Sequence, residues 1–156
     1  MADVYSLENY EPRSGLGHLI SRARTQLLSV LDAELARDEF LAPLELSSAQ
    51  FIVIVNLAGR EGATSASELC KGISYDAGAM TRMLDRLEAK GLVRRTRSPD
   101  DRRLVNLELT AAGEAAYPRL REISMQVMNR SLRDFTQDEA KTLQNLLQRL
   151  ANNVVA

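Results

Sequence analysis

Apolar residues recur with helical spacing over most of the chain and with strand spacing in one stretch. Leu16, Leu19, Ile20, Ala23, Leu27, Val30, Leu31 and Leu35 form one stripe, which predicts a helix over residues 14–37. Pro43 falls in the connector that follows. Ser47-Ser48-Ala49-Gln50 then has capping-box spacing, a side-chain oxygen for one orphan N–H and a Gln that reaches back to another. The almost unbroken apolar run over residues 51–57 predicts a central buried helix, ended by Gly59 and Gly62. Ser65-Ala66-Ser67-Glu68 repeats the capping-box spacing and opens a short helix through Leu69 to Lys71, with Gly72 placed to stop it. A tight turn at Ile73-Ser74-Tyr75 leads into a helix over residues 76–90 with Gly91 as its C-cap.

Beyond Gly91 the period shortens. Residues 92–97 and 102–109 read as two strands joined by the turn sequence Ser98-Pro99-Asp100-Asp101. Val105, Leu107 and Leu109 face one way and Asn106 and Glu108 the other, with Leu104 breaking the alternation where the strand leaves the turn. Thr110 caps a long helix bearing Ala116, Leu120, Ile123 and Val127. Pro118 lies inside it, has no N–H to donate and crowds the preceding turn, so a kink is expected. Thr136-Gln137-Asp138-Glu139 is a third capping box, opening a last helix with Ala140, Leu143, Leu146, Leu147 and Leu150. A short helix, a tight turn, a longer helix and a hairpin, in that order, make the winged helix-turn-helix plan. The expected fold is mostly α with a small β-hairpin wing.

The helix over residues 76–90 has two unlike faces. At about 100° per residue, Ala77, Met80, Met83, Leu84 and Leu87 gather on a core side. Opposite them fall Tyr75 (just ahead of the helix), Gly78, Arg82, Arg86 and Ala89, with Ala79 at the margin. Gly78 costs about 1 kcal/mol relative to Ala inside a helix, so a face serving only solvent would not favour it. Small residues early and arginines a turn later suit entry into a major groove, where the backbone must come close while guanidinium groups reach phosphates or guanine edges. The plain alternative is a solvated helix in which Asp85 and Glu88 pair with that helix's own arginines.

Composition narrows the class. The 156 residues are one domain's worth, 45% hydrophobic and 26% charged, which excludes wholesale disorder, collagen-like repeats and a disulfide scaffold. Cys70 is the only cysteine, so no intrachain disulfide forms and a structural zinc site is implausible. No secretory signal and no membrane-length apolar run is readable, and a cytoplasmic protein is expected. The net charge of -1 argues against a nucleic-acid partner until it is divided by position. Residues 82–103 hold eight basic side chains (Arg82, Arg86, Lys90, Arg94, Arg95, Arg97, Arg102, Arg103) against four acidic ones (Asp85, Glu88, Asp100, Asp101). That stretch is +4 and the rest of the chain is -5. The charge is concentrated on the presumed groove helix and on a wing whose arginines can enter a narrow minor groove, Asp101 being placed to hold Arg103 extended.

The run Asp76-Ala77-Gly78-Ala79-Met80-Thr81-Arg82-Met83-Leu84-Asp85-Arg86-Leu87-Glu88-Ala89-Lys90-Gly91-Leu92-Val93 resembles the recognition helix of the multiple-antibiotic-resistance regulator (MarR) family. Asp101-Arg102-Arg103, followed by Val105-Asn106-Leu107-Glu108-Leu109-Thr110-Ala111-Ala112-Gly113, is similar to that family's wing and exit strand. The motifs cover roughly residues 46–113, and the flanking helices agree in length and order. Ser98 departs from the family pattern, in which an acidic residue often precedes the wing proline.

The resemblance implies one domain over residues 1–156, with a winged helix-turn-helix over 46–110 and dimerisation helices over 14–37 and 111–153. It implies a homodimeric transcriptional regulator, often a repressor, binding double-stranded DNA at a short pseudo-palindrome. The apolar faces at both chain ends agree with that: the stripe from Leu16 to Leu35 is expected to pack against Leu143 to Leu150, the kinked helix and a second subunit. By motif, Thr81, Arg82 and Arg86 are expected at groove and phosphates, Arg103 in the minor groove, and Arg97 and Arg102 on the backbone. Ser65 and Ser67 are further phosphate-donor candidates, with a plain capping role as the alternative.

The family also implies release by a small aromatic acid, a phenol or another lipophilic effector, lodged between the DNA-binding lobes and the dimer helices. His18 and Arg22, one turn apart at the flank of the first stripe, are candidates for an effector carboxylate, or else an ordinary exposed pair. Two other readings stand beside this one, a redox-responsive regulator switched through Cys70 and a winged-helix module that binds protein. An enzyme is not expected, since the chain shows no local nucleophile–base motif, phosphate loop or metal-ligand spacing, and no cofactor is implied.

Overall fold

The protein is described from a computed structural model covering residues 3–58, 64–73, 76–97 and 105–155. Helix α1 (Leu16–Arg37) begins two residues later than the apolar stripe predicts, behind Gly15, which offers no side-chain cap. Asp38 ends it: its carboxylate accepts from the N–H groups of Phe40 (3.2 Å) and Leu41 (3.0 Å), an Asx-type turn that redirects the chain. A 3-10 turn at Ala42–Leu44, with Pro43 inside it, leads to α2 (Ser48–Ala58). The first capping box forms as expected, with Ser47 N–H donating to Gln50 Oε1 and Gln50 N–H to Ser47 Oγ. Asp32 of α1 adds a second cap, accepting from the Ser48 N–H (2.5 Å) and hydroxyl (3.1 Å). Gly59 and Gly62, expected to stop α2, lie outside the described residues.

A two-residue strand, β1 (Thr64–Ser65), precedes α3 (Ala66–Ile73). At two residues the strand is too short to show a period in the sequence. Gly72 does not stop α3, which continues to Ile73, a half-buried side chain packed on the core. Helix α4 (Ala77–Ala89) is bounded as its sequence predicts. Asp76 accepts from the Ala79 N–H at 2.8 Å. Gly91, at φ +68°, closes a Schellman turn in which Gly91 N–H reaches Glu88 O and Leu92 N–H reaches Leu87 O. Strands β2 (Val93–Arg97) and β3 (Val105–Leu109) follow, and the antiparallel sheet has the order β1-β3-β2, with Val93 opposite Leu109 and Arg95 opposite Leu107. Leu107 and Leu109 turn inward as the alternation predicts, whereas Val105, nearer the tip, is exposed. The turn expected at Ser98–Asp101 and the position of Leu104 lie outside the described residues.

Helix α5 (Ala111–Ser131) runs through Pro118 as one element, and α6 (Gln137–Val155) starts at the third capping box, where Thr136 and Glu139 exchange hydrogen bonds of 2.8 and 3.2 Å. The start of α5 is seated on the end of α4. Thr110 N–H donates to Leu92 O, its hydroxyl to Gly91 O, and a Cβ on Gly113 would penetrate the Leu92 carbonyl oxygen. Only glycine fits there.

One core joins these elements. Leu31 and Leu35 from α1, Val53 and Ile54 from α2, Leu69 from α3, Met80, Leu84 and Leu87 from α4, and Leu120, Ile123 and Val127 from α5 are all buried together with the inward side of the sheet. Ala77, expected on the core side of α4, is exposed, because it lies at the first turn ahead of the packed stretch. The expected packing of the two chain ends is only half made. The C-terminal part of α1 pairs with α5 through Leu31 and Leu35 and through the ion pairs Arg119–Asp38 (2.7 Å) and Arg130–Glu34 (2.8 Å). Leu16, Leu19 and Val30 of α1 and Leu143, Leu146 and Leu147 of α6 remain exposed. Among the described residues no helix is long and apolar enough to cross a membrane.

Candidate nucleic-acid interface

Helix α4 turns Met80, Leu84 and Leu87 into the core and leaves Gly78, Thr81, Arg82, Arg86 and Ala89 exposed, with Ala79 half-buried at the margin where the helical wheel puts it. The Thr81 hydroxyl donates to Ala77 O at 2.8 Å, and the side chain remains exposed. The Arg82 guanidinium leans back over Gly78, where a Cβ would stand 3.5 Å from its Nη1. A methyl group there would touch the arginine at ordinary contact distance and would stand closer, at 3.2 Å, to the Asp76 carboxylate.

The basic stretch is not uniformly available. Lys90 Nζ donates to the carbonyls of Leu44 (2.5 Å) and Glu45 (3.0 Å), tying the end of α4 to the 3-10 turn, where Glu45 sits at φ 46°. Arg94 is committed to Glu108 across the β2–β3 ladder, with contacts of 2.9 and 2.7 Å. Arg95 bridges two carboxylates on α4, Asp85 at 2.7 Å and Glu88 at 2.6 Å. Partial burial alone would lower the pKa of its guanidinium, yet Asp85 and Glu88 hold it above the ordinary arginine value. Asp85 and Glu88 thus pair with the neighbouring strand and not with their own helix's arginines, against the plain alternative weighed from sequence. Among the described residues Arg82, Arg86 and Arg97 have no ion-pair partner, and all three are exposed. Exposed arginines without a counter-ion of their own are what phosphate contacts require.

Ser65 is taken by its capping box. Its N–H and hydroxyl both donate to Glu68 Oε2 at 2.9 Å, and the hydroxyl accepts from the Glu68 N–H. Ser67 is exposed in the first turn of α3. Tyr75, Arg102 and Arg103 lie outside the described residues, as does the Asp101 pairing expected to extend Arg103.

His18 and Arg22 are exposed on α1 and line neither of two grooves in the helical part of the molecule. One groove, of 640 Å³, runs between the end of α5 and α6 and is walled by Met128, Leu132, Ala140, Leu143 and Leu147. The other, of 170 Å³, is polar and lies beside the Asp38–Arg119 pair. Sequence reasoning passed over this pair. The carboxyl of Asp38 is held below its ordinary value, chiefly by the hydrogen bond from Arg119, and that of Glu34 chiefly by the hydrogen bond from Arg130. Cys70 is half-buried against the core, as a small hydrophobe would be.

Comparison with known proteins agrees with this geometry. The sequence model of the MarR family matches residues 46–105. The multiple antibiotic resistance protein MarR of Escherichia coli K12 is 35% identical over 140 residues, 89% of this chain and 90% of that one. Its Salmonella typhimurium counterpart is 32% identical over the same shares. A crystal structure of a mutant E. coli MarR complexed with operator DNA superposes with a TM-score of 0.75 at 33% identity, covering 86% of this chain and 92% of that one. Bordetella bronchiseptica BpsR shares the fold with a TM-score of 0.78 at 23% identity, over 91% and 96% of the two chains. The chain belongs to the MarR family of winged-helix transcriptional regulators.

Proposed function

We propose that the protein is a homodimeric repressor that binds a pseudo-palindromic operator and is released by a small aromatic acid, phenolic or lipophilic effector. The observation that carries DNA binding through α4 is the trio Arg82, Arg86 and Arg97, exposed and unpaired while the neighbouring carboxylates are held by Arg95 and Arg94. In this reading α4 enters the major groove with Gly78, Ala79 and Thr81 close to the bases. Arg82 and Arg86 reach phosphates or guanine edges, and Arg97 reaches the backbone. Tyr75, Arg102, Arg103 and Ser67 complete the footprint, and Ser65 serves it by capping α3. The E. coli MarR mutant bound to operator DNA supports the same use of the fold.

A dimer supplies the second recognition helix. Two half-sites one helical turn apart need helices about 34–36 Å from each other. The exposed apolar residues of α1 and α6 are the surface from which such a dimer is built. A cytoplasmic location follows from that function. Fluorescence anisotropy with the upstream intergenic DNA, repeated at several salt concentrations, tests the reading. A steep fall of affinity with salt is expected, and no affinity even at low salt overturns it. A thermal-shift screen of aromatic acids and phenols tests the effector class, because a ligand selective for the folded dimer must raise its stability. His18 and Arg22 are the side chains to substitute once a ligand is found.

A further inference from the structure

Asp85 is the acidic residue of α4 best placed to spoil it. It stands three positions after Arg82, a spacing at which carboxylate and guanidinium meet on a helix surface. In the structure they do not meet. Arg82 leans the other way, over Gly78, and the Asp85 carboxylate is drawn to Arg95 Nη2, while Glu88 meets Arg95 Nη1. Arg95 is the residue of β2 that can do this. It follows Val93 on the inward alternation of the strand and is only 28% exposed, whereas Arg94 points away to Glu108. A guanidinium fork offers two donor edges, so one residue can satisfy both carboxylates.

We infer that Arg95 is a positioning residue for operator binding: by taking up Asp85 and Glu88 from the side of β2, it leaves Arg82 uncompensated and aimed along α4 toward the DNA. The inference rests on the reading of α4 as the groove helix. Its consequence is specific. Without Arg95, Asp85 is released to compete for Arg82, and the Asp85 and Glu88 carboxylates lose their counter-ion on a helix that must approach phosphates. The loss is then one of charge placement, and removing the Asp85 charge repairs it.

The test compares four full-length variants with the unaltered chain, by anisotropy against the upstream intergenic DNA over a salt series and by thermal unfolding. Arg95→Met keeps the aliphatic stem in place and is expected to weaken binding about tenfold and to flatten the salt dependence. Arg95→Met with Asp85→Asn is expected to recover affinity to within about threefold of the unaltered chain and to restore the slope. Asp85→Asn alone is expected to strengthen binding by less than about threefold, so that the recovery exceeds simple addition. Undiminished binding by Arg95→Met overturns the inference. So does a double variant that melts normally yet stays weak, or one whose gain merely equals that of Asp85→Asn alone. Should Arg95→Met unfold below the assay temperature, the neutral, hydrogen-bonding Arg95→Gln with and without Asp85→Asn gives the same comparison. Arg82→Ala separates the two failures. If it leaves affinity unchanged, the groove-helix reading falls and the role of Arg95 with it; if it weakens binding while Arg95→Met does not, only the role of Arg95 falls.

Discussion

The central lobe and the terminal helices solve opposite problems. In the lobe, α2, α3, α4, the sheet and the start of α5 close around one another, so that Ile54, Leu69, Leu87 and Leu107 are at most 2% exposed within a single chain. The amino-terminal half of α1 and all of α6 have equally good apolar stripes, yet Leu19 remains 53% and Leu146 49% exposed. Hydrophobic patterning alone does not say whether a face is satisfied by its own chain. The lobe is closed; the apolar faces of the termini stay open within the single chain.

That contrast is broken most severely by charging the open face. Leu143→Asp with Leu147→Asp is expected to leave the far-UV circular dichroism of the chain largely intact. It should halve the mass measured by sedimentation and weaken operator binding by about two to three orders of magnitude, since each lobe then binds one half-site alone. A pair of identical truncations sharpens the point. Leu84→Ala, inside the lobe, is expected to cost about 3 kcal/mol in urea unfolding at every protein concentration. Leu147→Ala should cost stability only as far as subunits separate, an effect that changes with concentration. Gly113→Ala forces a methyl group into the Leu92 carbonyl and is expected to destabilise by about 2 kcal/mol through backbone displacement, again in urea unfolding. Arg82→Ala should leave stability alone, weaken operator binding about tenfold and lower the salt slope by about one unit per subunit.

The smallest effect concerns the seam between the two regions. The Asp38 carboxyl has its pKa depressed, first by the hydrogen bond from Arg119, so the pair stabilises the fold above the ordinary aspartate range and ceases to do so as pH falls through the depressed value. Asp38→Asn is therefore expected to flatten the decline of the unfolding midpoint below about pH 4, with little change in shape near neutrality.

The same division explains what could be read without coordinates. Capping boxes at Ser47, Ser65 and Thr136, the Asp76 cap and the Gly91 turn are local chemistry spanning three or four residues, and each stands where the residues put it. Strand β1 is two residues long and exists only because β3 lies beside it, with Thr64 opposite Leu107. Gly72 stays helical because the chain beyond it is held by the packing of Ile73, a tertiary influence that outweighs propensity. At the site, the outward face of α4 was legible from its period. Which cations on it are free was not, because Lys90, Arg94 and Arg95 find their partners on other elements, up to 46 positions away in the case of Lys90 and Leu44. Charge counted along a sequence measures supply; only the fold shows how much is already spent.

The seat of Gly113 on Leu92 has a mechanical consequence. With the Thr110 N–H and hydroxyl fastened to Leu92 and Gly91, the far end of α4 and the near end of α5 share one fulcrum. Helix α4 extends 13 residues from it, a lever of about 20 Å. A ten-degree tilt at the joint sweeps its leading end, where Ala77 and Gly78 stand, through about 3 Å, as much as the whole length of a hydrogen bond. Because Met80, Leu84 and Leu87 pack α4 into the common core, a rotation of α5 at this joint carries the lobe with it as one piece.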